Sequence, residues 1–470
     1  MNAKSSAEIN PRADFDAAGI YSEDGAIRAD FLDQIDTAIR TGSEEALAQA
    51  VGPLHASEIG DLLQTLEPAE RQELVALLGE RFDYSALTHI DDAARRDIVT
   101  VLPNEQIALA LQQIDSDDAV YILEDMDEAE QADILARIPF TERIRLRRSL
   151  DYPEDSAGRR MQADFVAVPP YWNVGQTIDY LRDNEDLPVS FAQIFVIDPT
   201  FRLVGAVDLD RILRAQRDVR IEQIMRETRH AIPAVMDQEE AAQIFERYDL
   251  LSAAVVDENE RLVGVLTIDD VVDVIQEEAD EDIKRLGGVG DEELSNTVIE
   301  TTRSRFSWLL INLGTAVLAS FVIGLFDATI EQMVALAVLM PIVASMGGNA
   351  GTQTMTVAVR ALATRELDIY NAGRIVRREL MVGFLNGIMF ALVIGIVASI
   401  WFWTPGLGAV IALAMIINMV SAALAGIFVP LILDRLKVDP AVASSVFVTT
   451  VTDVVGFFAF LGLAAWWFGI

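Results

Sequence analysis

Five stretches long and apolar enough to cross a bilayer crowd into the part of this 470-residue chain beyond Thr301. A spanning helix needs about 20 predominantly apolar residues. Trp308–Phe326, Leu380–Trp403 and Leu407–Leu433 carry no charge, and Ala441–Ile470 is interrupted only by Asp453. Met333–Val359 is apolar at both ends but holds Pro341 and the run Gly347-Gly348-Asn349-Ala350-Gly351-Thr352-Gln353-Thr354. That run predicts a broken or distorted span with accessible backbone carbonyls, tolerated only where protein buries it or a cavity hydrates it. Glycines spaced like Gly347 and Gly351 also suit close helix packing. Uninterrupted stretches of this length speak against the core of a soluble helical bundle.

The charges sort by segment. Nine Lys and Arg and eight Asp and Glu lie from Thr301 onward, leaving 27 basic against 65 acidic residues in the first 300. All nine basic residues of the apolar part fall on one side: Arg303 and Arg305 before the first span, Arg360 to Arg378 between the second and third, Arg435 and Lys437 between the fourth and fifth. Because basic residues collect in cytoplasmic loops, an odd number of spans puts the N-terminus inside and the C-terminus outside. The N-terminal segment lacks a basic flank leading into an apolar stretch, so it does not read as a secretory signal. A soluble part this acidic repels phosphate backbones and gathers cations, which argues against nucleic acid as a partner. The absence of cysteine excludes disulfides and thiolate metal sites.

The soluble part contains two kinds of repeat. Between 54 and 140, apolar pairs recur at shifts of 24 and 60 residues: Leu62-Leu63 and Leu74-Val75 match Ala86-Leu87 and Ile98-Val99, then Ile122-Leu123 and Ile134-Leu135. Acidic turns such as Glu67-Pro68 and Asp127-Glu128 fit helix starts, so short helices stacked in series are expected. From Met161 to about Glu277, Val196-Ile197-Asp198 with Arg202-Leu203-Val204-Gly205 returns as Val255-Val256-Asp257 with Arg261-Leu262-Val263-Gly264. This tandem strand-turn-strand-helix pattern resembles the cystathionine-β-synthase (CBS) domain pair, a module that often binds adenine nucleotides. The resemblance implies a ribose contact at Thr267 and Asp270, hence at most one adenine-nucleotide site, for ATP in the second copy, since Asp208 and Arg211 occupy the equivalent places in the first. Residues 276–305, with Glu277, Glu278, Asp280, Glu281 and Asp282, read as an acidic helix connecting sensor to membrane.

The side chains that carry chemistry are oxygens. Asp453 stands in the middle of the last span, where an unpaired carboxylate costs several kcal/mol, so the default reading is functional. Ser445, Thr449, Thr450 and Thr452 nearby are small and oxygen-bearing, and Asn349 supplies an amide to the second span. His55, His89 and His230 all lie in the soluble part, so hard cations such as Mg²⁺, Ca²⁺ or Mn²⁺ fit the membrane part and soft metals do not. One such carboxylate per chain favours two chains with their Asp453 residues facing. A proton- or sodium-coupled carrier would need further ionisable groups in the spans. An enzyme would need a phosphate-binding loop or nucleophile motif that the sequence lacks, and a purely adenylate-sensing protein leaves Asp453 without a use.

Met346-Gly347-Gly348-Asn349-Ala350-Gly351, Arg360-Ala361-Leu362-Ala363-Thr364-Arg365, and Val438-Asp439-Pro440-Ala441 leading to Thr452-Asp453-Val454-Val455-Gly456 resemble the MgtE family of magnesium transporters over nearly the whole chain. The resemblance implies a multidomain fold. An α-helical superhelical N-domain (21–157, after a disordered tail at 1–20) precedes an α+β tandem CBS pair (158–275) and an acidic connecting, or plug, helix (276–305). A five-helix α transmembrane domain (306–470) then forms a dimeric pore. It implies a homodimer in the bacterial inner membrane, in contact with lipid and without an obligatory protein partner. Transported Mg²⁺ would meet Asp453, Asn349, Ser445, Thr449 and Gly456 in the pore. Regulatory Mg²⁺ would be held by Glu239, Asp249, Asp270, Asp273, Glu278, Glu281 and Asp282, keeping the pore closed to import. Ser445 stands where the family pattern leads one to expect Asn, and Arg211 stands where a sensor acid is expected.

Overall fold

The computed structural model describes residues 19–22, 24–184, 187–188, 190–226, 230–289, 298–364, 366–367 and 372–469. The tail expected at 1–20 lies outside them except for Gly19 and Ile20, and Ile20 already packs into the helical core. Two compact units divide the chain, Met1–Gln276 and Glu277–Ile470.

The first unit opens with the stacked short helices expected from the repeat, Ala29–Arg40 through Phe140–Leu150. Their acidic and polar turns are caps: Asp91 accepts from the Ala94 amide at 2.7 Å, and His55 and Glu58 form a reciprocal pair around the start of Ala56–Thr65. Each such cap satisfies amides that the first helical turn leaves without partners. Leu62, Leu63, Leu74, Val75, Ile122, Leu123, Ile134 and Leu135 share one buried core. The middle copy departs from the pattern, because Ala86 and Leu87 sit in a 3₁₀ turn, Tyr84–His89, instead of an α-helix. They remain buried, so the apolar repeat records burial more faithfully than helix type.

Two three-stranded sheets follow. β1 (Ala167–Val168) runs parallel to β2 (Gln193–Ile197), which pairs antiparallel with β3 (Leu203–Asp208). β4 (Ile232–Pro233), β5 (Ser252–Val256) and β6 (Leu262–Thr267) repeat the order. The two hairpins meet at their tips, where Leu203 N donates to Glu260 O and Leu262 N to Phe201 O. These are the two halves of the tandem CBS unit. β6 feeds directly into helix Ile268–Gly287, so the acids at 277–282 continue the helix that carries Asp270 and Asp273.

The second unit is built on five long helices, which contain candidate spans Thr301–Gly324, Ala335–Ala363, Ala372–Phe402, Pro405–Arg435 and Ser445–Phe468. We number them first to fifth span. The break expected in the second span is absent: Ala335–Ala363 is one α-helix through Pro341 and through Gly347–Thr354. In hydrocarbon an unbroken helix keeps backbone groups bonded internally, and the glycines serve packing. A Cβ on Gly347 would stand 2.2 Å from Asn418 Nδ2, and one on Gly351 would stand 2.5 Å from Val448 Cγ1. A Cβ on Gly456 would meet the same Asn418, at 2.8 Å from Nδ2. Asn418, on the fourth span, is 0% exposed and donates to Val343 O at 2.8 Å. It thus fills the crossing of the second, fourth and fifth spans through two glycine notches. Gly347→Ala should lower the melting temperature of the detergent-solubilised protein, by an overpacking cost of about 1–3 kcal/mol. Gly348→Ala, whose Cβ meets nothing nearer than Thr449 Cγ2 at 3.9 Å, should melt like the parent; equal melting of the two variants would refute the notch.

Candidate functional site

The membrane unit carries a polar face on two adjacent helices. Along the second span Ser345, Asn349, Thr352 and Thr356 recur at helical spacing and are all exposed from this chain, ending at Arg360. Along the fifth, Ser445, Thr449 and Asp453 follow four residues apart; Thr449 is exposed and the other two are half-buried. Thr449 donates to Ser445 O at 2.8 Å and Thr452 to Thr449 O at 2.9 Å. Thr449, like Thr356, which donates to Thr352 O at 2.9 Å, spends its proton on its own helix, so these two hydroxyls present oxygen lone pairs on the face. Asp453 and Asn349 have no hydrogen-bond or ion-pair partner among the described residues. Such a face accepts hydrogen bonds from water and attracts cations. Ser345 and Thr356 extend it beyond the residues that the sequence singles out. Gly456 does not join it: the side on which its Cβ would stand faces buried Asn418.

At the end of this unit that holds Ser445 and Arg360, the connecting helix meets the start of the fifth span. Arg285 pairs with Glu281 one turn earlier and with Asp439. Asp439 caps the fifth span by accepting from the Ala441 amide at 2.7 Å. Burial, followed by the charge of Asp439, raises the pKa of half-buried Asp282 above the ordinary carboxylate range. Leu286 packs with Met355, Ala441 and Val448, residues of the second and fifth spans. One arginine therefore ties two acids, one on the connecting helix and one at the head of the fifth span.

In the first unit the helix Ser116–Glu124 brings acids to the start of helix Ile268–Gly287. Thr267 Oγ1 donates to Asp270 Oδ2, and Asp270 faces Asp117. Burial is the largest cause holding both carboxyls of this pair above the ordinary range, so the pair keeps a proton. Asp117 Oδ2 also accepts from Gln162 Nε2 at 3.3 Å. Burial, then the charges of Asp117 and Asp115, push Asp118 up to about 8. The sequence reading found Asp270 and missed Asp115, Asp117 and Asp118, whose clustering at a helix start resembles ordinary capping chemistry. Of the other expected sensor acids, Asp273 is one turn beyond Asp270 on the same helix. Glu239 opens helix Gln238–Tyr248 and accepts from Gln243 Nε2 at 3.3 Å. Asp249 ends that helix in the left-handed region, exposed. Glu278 lies on the second unit's stretch of helix Ile268–Gly287. Among the described residues, no three acidic or histidine side chains converge closely enough to enclose a bare metal ion.

Comparison with known proteins covers all of these parts. Residues 340–463 match the family model of divalent cation transporters named MgtE, residues 54–155 the MgtE intracellular N domain, and residues 221–277, the second copy of the repeat, the CBS domain. The magnesium transporter MgtE of Thermus thermophilus is 31% identical over 451 residues, covering 92% of this chain and 97% of its own length. That of Enterococcus faecalis is 32% identical over 316 residues, covering 67% and 70%. A solved cytosolic domain of the Mg²⁺ channel MgtE, crystallised with ATP, aligns at 26% identity with a TM-score of 0.48, covering 52% of this chain and 99% of that one. With its helical N domain, its CBS pair and five apolar helices carrying one oxygen-lined face, the chain belongs to the MgtE family of magnesium transporters.

Proposed function

We propose that two copies of this chain form a pore along the exposed polar faces of their second and fifth spans, and that Mg²⁺ enters the cell through it as a hydrated ion. The carrying observation is the oxygen-bearing stripe of Ser345, Asn349, Thr352, Thr449 and Asp453, which one copy leaves uncovered. Hydrocarbon is a costly environment for such a face, and a second copy would enclose it with water. Mg²⁺ gives up its water reluctantly, so a facing pair of Asp453 carboxylates with hydroxyl and amide oxygens around them suits recognition through the hydration shell. The nine basic residues on one side set the N-terminus in the cytoplasm and the C-terminus outside, in the inner membrane of a bacterium.

Cytoplasmic Mg²⁺ closes this pore by feedback. Two unit charges about 4 Å apart repel by about 4 kcal/mol at an effective dielectric of about 20, and divalent ions relieve that repulsion. The acids in question are Asp117, Asp118, Asp270 and Asp273 in the first unit, with Glu239 and Asp249, and Glu278, Glu281 and Asp282 in the second. Arg285 couples Glu281 to Asp439 at the head of the fifth span, which gives the sensor a handle on the pore. ATP would bind at the second CBS copy through Thr267 and Asp270.

Proteoliposomes holding Asp453→Ala should lose at least about tenfold of the Mg²⁺ flux, the cost of an intramembrane charge being recovered only when it serves the ion; flux equal to the parent removes Asp453 from the path. Combined Asp270→Asn, Asp273→Asn and Glu281→Gln should give channels that Mg²⁺ closes less readily in patch recordings, and unchanged inhibition would remove these acids from the sensor. A pH effect follows from Asp118. Its folded carboxyl holds a proton up to about 8, against an ordinary value of 3.8. The folded state therefore binds more protons than the unfolded one across that window, and stability falls as pH rises through it. Without divalent ions the full-length protein should melt lower at about pH 8 than at about pH 6, and millimolar Mg²⁺ should narrow the gap; a gap that Mg²⁺ leaves untouched would count against cation binding at these acids.

A further inference from the structure

A cavity of about 280 Å³ opens between the second and third spans and is floored by Met419 and Ala423 of the fourth. Asn349, Gln353 and Thr354 form its polar wall on the second span, and Glu379 and Asn386 face them from the third. Asn349, Gln353 and Asn386 have no hydrogen-bond partner among the described residues. The Glu379 side chain is 14% exposed, and the nearest cationic atom paired with it is Arg378 Nε at 3.8 Å, beyond hydrogen-bond range. Four strongly polar groups therefore line one space without neutralising one another.

The cavity has a defined depth. Glu379 follows Arg378 at the basic end of the third span, and Asn349 precedes Arg360 by eleven residues, about 16 Å of helix at about 1.5 Å per residue. The space therefore reaches from the basic end of the spans to about the middle of a hydrocarbon core of about 30 Å. Asn349 belongs both to this wall and to the exposed stripe beside Asp453, so the two are continuous.

We propose that this side cavity is a second cation station, where a hydrated divalent ion is held by the Glu379 carboxylate and through water by Asn349, Gln353 and Asn386; it rests on the reading of the second and fifth spans as the ion path. A six-water shell needs about 180 Å³ at about 30 Å³ per water, which the cavity accommodates. A carboxylate with amide oxygens is a hard, oxygen-only donor set of the kind that outer-sphere Mg²⁺ binding uses. The arginines that precede Glu379 on the third span's helix, Arg374, Arg377 and Arg378, would draw a lipid phosphate. Behind them, however, Glu379 repels phosphate, and the amides offer an acyl chain nothing to bond. The chemistry inside the cavity therefore selects a cation over a lipid.

The chain contains no cysteine, so a nitroxide on Val382→Cys, at the cavity wall, reports from one place in the full-length protein in neutral phospholipid liposomes. Mn²⁺, the probe ion, should broaden its spectrum, and Mg²⁺ should compete. Glu379→Gln should weaken that Mn²⁺ effect by about tenfold, as loss of a charged partner does, and Glu379→Asp should restore most of it. The broadening should survive Asp453→Ala. Equal broadening in Glu379→Gln and the parent overturns the side station while Asp453-dependent flux still stands; normal Mg²⁺ flux in Asp453→Ala overturns the path reading instead. Line shapes that follow added anionic lipid and ignore Mn²⁺ would make the cavity a lipid site and overturn the proposal. Should the Gln variant fail to fold, Asn386→Leu takes its place, with the same loss expected and the parent's Mn²⁺ response as the overturning result.

Discussion

Polar groups placed at membrane depth have to be satisfied by protein, water or cargo, and the second unit is arranged around that requirement. A carboxylate at the centre of a spanning helix costs about 2.5–3.5 kcal/mol even by the milder insertion scales. The helices that carry it, and the neighbouring one with Asn349, keep their own backbones fully helical and place the oxygens on one face. Asn418 illustrates the opposite solution. Its amide is enclosed by Gly347 and Gly456; Nδ2 donates to a backbone carbonyl while Oδ1 has no partner among the described residues, so this polar group holds helices together at the cost of one unpaired acceptor. Two polar side chains in similar apolar surroundings thus have different uses, distinguished by what stands opposite them.

The soluble part obeys a complementary constraint. Here repulsion between acids is available to be switched, and burial amplifies it. The Asp117 and Asp270 pair loses water on folding and holds a proton as a result, so this buried arrangement is stable only when something positive shares it. At neutral pH a proton already fills that role, and a divalent ion, with twice the charge, would have to displace it. In the second unit Arg285 already occupies that position between Glu281 and Asp439. A permanent cation there fixes the geometry of the connecting helix against the fifth span, leaving half-buried Asp282 beside Asp439 as the acid whose charge remains to be neutralised.

Most of this architecture is written locally. Span number, the CBS repeat and the caps depend on composition within about 20 residues, and the five helices match the five apolar stretches to within a few residues at most ends. The misreading at Gly347–Thr354 has a physical cause: glycine marks both an opened backbone and a close approach. The choice between them depends on Asn418 and Val448, which are far away in sequence. Gly456, which the family resemblance places in the pore, is likewise buried against Asn418. Asp117 and Asp118 escaped notice because acids at a helix start have a sufficient local explanation in the helix dipole, and only the tertiary fold brings Asp270 to them. Asn386 and Glu379 likewise gain meaning from the second span across the cavity, not from their own neighbours.

The absence of a three-acid cluster among the described residues bears on how the ion is recognised. Enclosing a bare Mg²⁺ requires near-octahedral oxygen ligands at about 2.0–2.1 Å and removal of tightly held water. A single Asp453 per chain, one turn beyond a Thr449 hydroxyl whose proton goes to the backbone, cannot supply that shell. It can, however, accept hydrogen bonds from an ion's own waters, and acceptors are what those waters need. Discrimination would then come from the size and rigidity of the hydrated ion fitted between two copies, which is why the close packing at Gly347, Gly351 and Gly456 matters to chemistry it does not touch.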